Sequence, residues 1–262
     1  MTAEESPFHN LWAKTHRSGD GDEVHPLACH LTDVAVVGEA LWNQALPDSL
    51  KQRIAGWLEL PATDTGKWLA FWVGTHDLGK ASPGFQGKYA QAQSQLAEAG
   101  LPFPRVLADT PHGTLSAATL TSLLAGSDGA PGVPTALARM VAGAVGSHHG
   151  QLLSPGDLTD VTSRDTGSGQ WDEARRWLLS TLADLTGVTE ARCPAAPEGR
   201  NGAALAIFLA GLTSVADWIG SSEVLFPFEP RANDLRKYSL RAWDRASHAI
   251  QCLGWADHRP LH

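Results

Sequence analysis

Cysteine is scarce. The 262 residues hold three, Cys29, Cys193 and Cys252, far apart and without a Cys-x-x-Cys pair. That excludes a thiolate zinc knuckle and fits a reducing compartment, so a cytoplasmic location is expected. Positive charge is also short: 20 Lys and Arg against 28 Asp and Glu leave a formal net charge of −8. A protein that coats nucleic acid through a broad basic surface is excluded, and any attraction for a nucleic acid must be local. No low-complexity tract is present, and 43% hydrophobic with 18% charged residues describes a globule rather than a disordered chain. Residues Met1–Asn10 carry acids and a proline where a secretory signal needs bases and then an apolar run, so no export is expected. A Walker loop is lacking too: around Gly66 and Lys67, Pro61 stands where the first glycine should be and Trp68 where Ser or Thr should follow. The one long apolar run, Ala203–Gly220, approaches membrane-spanning length but contains Thr213, Ser214 and Asp217 and lacks flanking basic anchors. It reads as a buried core helix, and no membrane partner is expected.

What the chain does hold is a series of apolar segments longer than strands, set off by proline and glycine. The expected fold is all-α, a helical bundle with a metal site in its core, as a single domain over residues 1–262. Leu27, Leu31, Val34, Gly38 and Leu41 recur at helical spacing, with Pro26 expected at the first helical position and His30 beside the apolar stripe. Trp68–Leu78 is apolar almost all round and predicts a central buried helix ended by Gly79, with His76 and Asp77 at its C-terminal end. Further helices are expected over Tyr89–Ala99, Leu115–Leu124, Pro134–Val145, Trp171–Leu185 and Ala203–Ile219. His112 lies near the start of the second, and His148 and His149 follow the third. Gln151–Gln170 is rich in Gly, Ser, Thr and Asp and reads as a surface loop placed to cover the site. No internal repeat is evident.

Histidines and carboxylates within or beside apolar helices are costly unless hydrogen-bonded or metal-bound. Asp217 is the only charged residue between Asn201 and Glu223, among Val215, Ala216, Trp218 and Ile219. Its expected partner is a metal, the alternative being a helix cap or an arginine across a helix interface. A lone His-Asp pair says little, but His76 and Asp77 are joined by His30, His112, His148, His149 and Asp217. Imidazole and carboxylate without thiolate suit divalent transition ions, with Mn, Fe, Co or Ni favoured and Mg or Zn still open. If Asp77 bridges two such ions, His30, His76 and Asp217 complete one coordination sphere and His112, His148 and His149 the other. The pair would then clamp the attacking and leaving oxygens of a phosphodiester, with a metal-activated water as nucleophile. Lys80, three residues after Asp77, is placed for a phosphate or leaving group, against the alternative of a solvated surface lysine. Phe85 is expected to be exposed and to offer a stacking face to a base. Trp12, Trp42, Trp57, Trp68 and Trp72 are expected in the core. His9, His16, His25, His248, His258 and His262 read as surface or capping residues.

These blocks, in this order, resemble the HD nuclease domain of the CRISPR-associated nuclease-helicase of type I systems. They are LWAK at Leu11–Lys14, HPLACHLTDVA at His25–Ala35, THDLGKAS at Thr75–Ser82 with Phe85 and Gln86 behind it, His112 alone, SHHG at Ser147–Gly150, and ADWIGS at Ala216–Ser221. The resemblance implies an all-α HD fold, two divalent transition metal ions on the seven residues above, and catalytic roles for Asp77 and Lys80. It also implies substrate contacts by Lys80, Phe85 and Ser221, and nicking then exonucleolytic degradation of single-stranded DNA in antiviral defence. The partners it implies are a superfamily 2 type helicase, in cis or in trans, and through it an RNA-guided type I surveillance complex. The sequence stops at His262 without a helicase segment, which fits either an excised domain or a separate subunit. An HD phosphohydrolase acting on nucleotides or cyclic dinucleotides, and an inactive HD scaffold, remain as alternatives.

Overall fold

The computed structural model describes residues 6–18, 21–126, 130–151, 153–229 and 234–256. Among the described residues the fold is all-α apart from one antiparallel strand pair, β1 (Trp12–Ser18) and β2 (Gly21–Pro26), which the hydrophobic periodicity did not suggest. At its centre lies α1 (Leu27–Ala40), in which every residue except Glu39 is buried. A helix apolar on all sides belongs in a core. It packs against α3 (Ala62–Gly74), α10 (Gln170–Thr186), α11 (Gly199–Gly220) and α12 (Leu235–Cys252). A second layer pairs α6 (His112–Ala125) with α7 (Thr135–Gly146), and α7 rests on α11. Of the remaining helices, α2 (Asp48–Leu58) packs on α3 and α11, while α4 (Pro83–Gln86) and α5 (Ala90–Glu98) follow α3 in the chain, α5 against the turn Pro7–Asn10. Trp12, Trp42, Trp68 and Trp72 are buried as expected, while Trp57 is half-buried.

Several boundaries differ from expectation, each for a local reason. Pro26 closes β2 and caps α1 from outside, with extended φ −61° and ψ 144°, so α1 begins one residue later than expected. The helix α3 ends at Gly74 rather than Gly79. A Cβ on Gly74 would come within 2.8 Å of Leu182 and 2.9 Å of Ala35, so glycine there lets α3 press against α1 and α10. Thr75 then caps the helix, and His76 and Asp77 fall in the following turn. Gly79 serves a different close approach: a Cβ there would lie 2.1 Å from the His112 carbonyl oxygen and 2.5 Å from the Ser116 nitrogen. Only glycine lets the turn carrying Asp77 touch the start of α6, where the Gly79 N–H donates to Ser116 Oγ at 2.8 Å.

The expected loop over residues 151–170 contains two short helices, α8 (Pro155–Thr159) and α9 (Ser163–Thr166), each started by a capping box, Ser154 with Asp157 and Thr162 with Asp165. They lean on α6 and α4. The helix α11 is buried on one face only: Leu205, Leu209, Leu212, Ala216 and Ile219 pack inward while Ile207 and Trp218 are each 73% exposed. By length and composition it could cross a membrane, with 33% of its most apolar window buried. Its inner face forms a wall of the site described below. The helix α12 escaped the sequence reading because alanines carry much of its buried stripe, Leu235, Tyr238, Ala242, Ala246, Ala249 and Ile250.

Candidate metal centre

Seven side chains from five places in the chain converge. His30 comes from the first turn of α1, His76 and Asp77 from the turn after α3, and His112 from the first residue of α6. His148 and His149 follow α7, and Asp217 sits near the end of α11. Among the described residues, ligand atoms fall into three groups, the atoms of each lying within 4.8 Å of one another: His30 with His76 and Asp217, His112 with His148 and His149, and His76 with Asp77 and His148.

Asp77 stands between the first two groups, and its two oxygens face different ways. Oδ2 lies 2.9 Å from His30 Nε2 and 3.3 Å from His76 Nε2. Oδ1 lies 3.1 Å from His112 Nε2 and 3.5 Å from His148 Nε2. Asp217 Oδ1 closes the first group at 3.4 Å from His76 Nε2 and 3.6 Å from His30 Nε2. His112 and His149 close the second, Nε2 to Nε2 at 2.9 Å. In the first group His30 and His76 are buried and Asp217 is half-buried. The second is open, with His112 half-buried and His149 exposed.

A short recurrence explains how the two histidine turns are built. Val73-Gly74-Thr75-His76-Asp77 and Val145-Gly146-Ser147-His148-His149 share one five-residue pattern. In both, the helix ends at the glycine, and the hydroxyl residue caps it and donates back to a helix carbonyl: Thr75 to Trp72 at 2.6 Å and Ser147 to Gly143 at 2.7 Å. His76 Nδ1 then donates to the Val73 carbonyl at 3.2 Å, and His148 Nδ1 to the Val145 carbonyl at 2.7 Å. Holding the proton on Nδ1 turns the Nε2 lone pair of each ring toward the centre.

Those lone pairs are unspent. His76 Nε2, His148 Nε2 and Asp77 Oδ1 are buried and make no aligned hydrogen bond. Unpartnered buried donors and acceptors are rare, and three converging on one space fit a divalent cation. The electrostatics divide the rings: His148 and His30 are held neutral, while the carboxylates hold on His76 a second proton that a cation would have to displace. Burial works against charge on Asp77, yet His76 and Lys80 hold its carboxyl well below the usual range. Burial likewise opposes the Asp217 carboxylate, and His76 and His30 outweigh it. Burial disfavours charge on His76, but Asp77 and Asp217 raise its pKa to about 9. Burial, with the charge of His76, lowers His148 to about 4, and burial pushes His30 well down.

The remaining candidates fall near the centre. Lys80 is not a solvated lysine: it is buried, its Nζ 2.7 Å from Asp77 Oδ2 and donating to the Ala13 carbonyl at 3.2 Å. Phe85 is half-buried rather than exposed, its ring centroid 4.5 Å from that of Trp12 and 5.2 Å from Lys80 Nζ, so part of its surface is already covered. Ser221 donates to Asp217 Oδ1 at 2.7 Å, where it orients the carboxylate.

His25, read as a surface or capping residue, is buried. Its Nε2 meets Asp33 Oδ2 at 2.9 Å, its ring stacks on Phe228, and its ring centroid is 6.3 Å from that of His30. His16 pairs with Glu223 at the surface, His9 packs edge-on against Trp177, and His248 lies beside Cys252. His258 and His262 lie outside the described residues. Two further residues were missed. Asp33 is a charge within apolar α1, the signal that singled out Asp217. Lys14 lies in the hairpin and feels the Asp217 charge.

A family model described as the HD domain of Cas3 matches residues 12–226. The chain belongs to the Cas3 HD domain family. Over 97% of its length it is 34% identical to the CRISPR-associated endonuclease/helicase Cas3 of Thermus thermophilus, of which it spans 26%. A crystal structure described as a CRISPR-associated protein superposes on all of it with a TM-score of 0.88 at 39% identity, this chain spanning 29% of that one. The Thermus thermophilus Cas3 HD domain, solved in the presence of Ni2+, superposes on 95% of it with a TM-score of 0.69 at 29% identity, and 92% of that chain is covered. A chain of a CRISPR RNA-guided surveillance complex, pre-nicking, superposes with a TM-score of 0.70 at 26% identity, over 93% of this chain and 29% of that one. This Cas3 HD domain shares its helical fold with these structures, and its His and Asp clusters suit divalent metal.

Proposed function

We propose that this chain is a metal-dependent single-strand deoxyribonuclease holding two divalent transition ions, one on His30, His76 and Asp217, the other on His112, His148 and His149, with Asp77 shared. The observation that carries the reading is the division of labour on Asp77: each carboxylate oxygen faces its own histidine group. When bound, the ions supply Lewis acidity that activates water and offsets phosphodiester charge. The protein does the rest. Val73 and Val145 carbonyls hold the His76 and His148 protons on Nδ1, so both rings present Nε2. Ser221 holds Asp217, and Lys80, anchored on the Ala13 carbonyl, brings an ammonium to the edge of the site where a phosphate or leaving oxygen arrives.

The exposed His149 and half-buried His112 leave one side open, which suits a polymer strand. A helicase that delivers such a strand, and a surveillance complex that opens the duplex, are the partners this reading requires, within the cytoplasm. Residues 1–262 would act as one nuclease domain within that assembly.

The test is cleavage of a 5′-labelled single-stranded oligonucleotide by protein stripped with chelator and reloaded with Mn2+ or Ni2+. Duplex DNA, single-stranded RNA and a cyclic dinucleotide run alongside. The reloaded protein is expected to cut the single-stranded DNA, and Asp77→Ala to lose that activity while folded. An Asp77→Ala protein cutting at the wild-type rate would falsify the assignment, and preferential hydrolysis of the cyclic dinucleotide would replace the substrate.

A further inference from the structure

The open group of the centre is bordered by α4. The Phe85 ring lies edge-on to that of His112, centroid to centroid 5.8 Å, so it stands beside the side that His112 and His149 leave uncovered. Its place is fixed from several directions. Ser82 caps α4, its Oγ accepting from the Phe85 N–H at 3.4 Å. The next residue, Gln86, is buried and donates to the carbonyls of Trp12 and Lys80, both at 2.9 Å, while its side-chain oxygen accepts from the Trp12 N–H at 3.1 Å. Gln86 thereby pins α4 to β1 and to the turn that carries Lys80. Gly84 lets α4 press on the segment leading to His112, because a Cβ there would collide with the Ala108 carbonyl oxygen.

Two ammoniums reach the Phe85 ring: Lys80 Nζ lies 5.2 Å from its centroid and Lys88 Nζ 5.9 Å. They are in different states. Lys80 is buried and spent on Asp77 and the Ala13 carbonyl. Lys88 is exposed, just past the end of α4, and meets Asp109 Oδ1 at 3.2 Å. The Asp109 side chain is itself 93% exposed. An ion pair in that setting is worth little and is screened by salt, so a phosphate can displace the carboxylate at small cost. Outward from Asp77 the order is therefore a buried cation, an aromatic ring and an exposed cation.

We propose that the DNA strand leaves the reacting position over Phe85, and that Lys88 takes a phosphate outside the scissile one, displacing Asp109. This rests on the nuclease reading of the site. It also answers a difficulty of charge: a chain of net charge −8 has to draw a polyanion locally, and Lys88 offers an accessible cation one ring away from His112.

Two readouts test it: binding of a labelled single-stranded oligonucleotide to chelated protein, where cleavage is off, across a salt series; and KM with kcat for the reloaded protein. Lys88→Gln is expected to weaken binding and raise KM about three- to tenfold, as for loss of one charge-assisted phosphate contact. The slope of log affinity against log salt should flatten by about 0.7, the loss of one phosphate contact on a single strand. The loss should be greater on a long strand than on a dinucleotide, whose single phosphodiester reaches no further than the centre. Lys88→Arg should restore most of the affinity. Asp109→Asn, which leaves Lys88 in place without its competitor, should bind at least as tightly as wild type. Both side chains are exposed, so each variant should melt with wild type. An unchanged salt slope and KM overturn the proposal. So does equal weakening on the dinucleotide and the long strand, which would put the action of Lys88 at the centre itself. Weakening by Asp109→Asn to the level of Lys88→Gln also overturns it, by assigning the ion pair to holding the segment before His112. Wild-type protein that cuts no single strand overturns the reading beneath; wild type that cuts while Lys88→Gln matches it overturns the role of Lys88 alone.

Discussion

The Tyr238 hydroxyl meets both carboxylate oxygens of Asp33, at 2.8 and 3.0 Å, and so ties α12 to the helix that carries His30. Asp33 is fully buried and also receives His25, which lies on the N-terminal side of the same helix. Burial pushes the Asp33 carboxyl up, and its His25 and Tyr238 partners pull it back. The matched family region stops at residue 226, so Tyr238 lies beyond it while Asp33 and His25 lie within. Tyr238→Phe removes one donor from a buried acid. It should cost about 1–3 kcal/mol of stability, measured by urea unfolding of the metal-free protein. A variant within experimental error of wild type would show that His25 alone supports Asp33.

On the function proposed above, Ser221 acts on the metal centre through Asp217. Its hydroxyl is the carboxylate's one aligned hydrogen bond among the described residues, and an outer partner of this kind is worth about ten- to a hundredfold in metal affinity. Ser221→Ala should therefore bind Mn2+ or Ni2+ less tightly by that factor, read by competition with a chelating dye, with little change in fold. Unaltered affinity would assign Ser221 to the helix end only.

Gly79 has no room for a side chain. Gly79→Ala places a methyl against the His112 carbonyl and the Ser116 nitrogen, both backbone atoms, so the turn carrying Asp77 must move away from α6. The expected cost is about 1–3 kcal/mol or more, together with loss of cleavage, since Asp77 and His112 shift relative to one another. Retention of full activity with an unchanged melting temperature would contradict the packing described here.

The metal-free protein should be most stable near neutral pH. His76 is raised from 6.5 to about 9, so its contribution is complete below about pH 6.5 and is lost as pH rises through 9. His148, lowered to about 4, and His30, also lowered, are neutral in the fold, so their burial costs stability as pH falls below about 6.5. Asp77 and Asp217, both lowered, contribute above their ordinary range and are lost only in stronger acid. Melting temperature in chelator should fall on both sides of neutrality; a steady rise from pH 5 to pH 9 would refute this. The loaded enzyme should lose activity below about pH 6, because histidine must be neutral to bind metal.

The sequence by itself determined the helical class and singled out the histidines and acids that the fold brings together, because a histidine or acid in an apolar helix is conspicuous in one dimension. Asp217 among Val215, Ala216, Trp218 and Ile219 is such a case, and Asp33 in α1 would have been another. What only the tertiary structure decided was pairing. Nothing in the spacing says that one oxygen of Asp77 faces His30 and the other His112, since those contacts join segments far apart in the chain. The end of α3 at Gly74 was equally hidden, because it depends on Leu182 and Ala35 pressing against that glycine from other helices. His25 looked like a surface residue until Phe228 and Asp33 closed over it. Local chemistry names the residues that are costly to bury; only the packed chain shows what each of them meets.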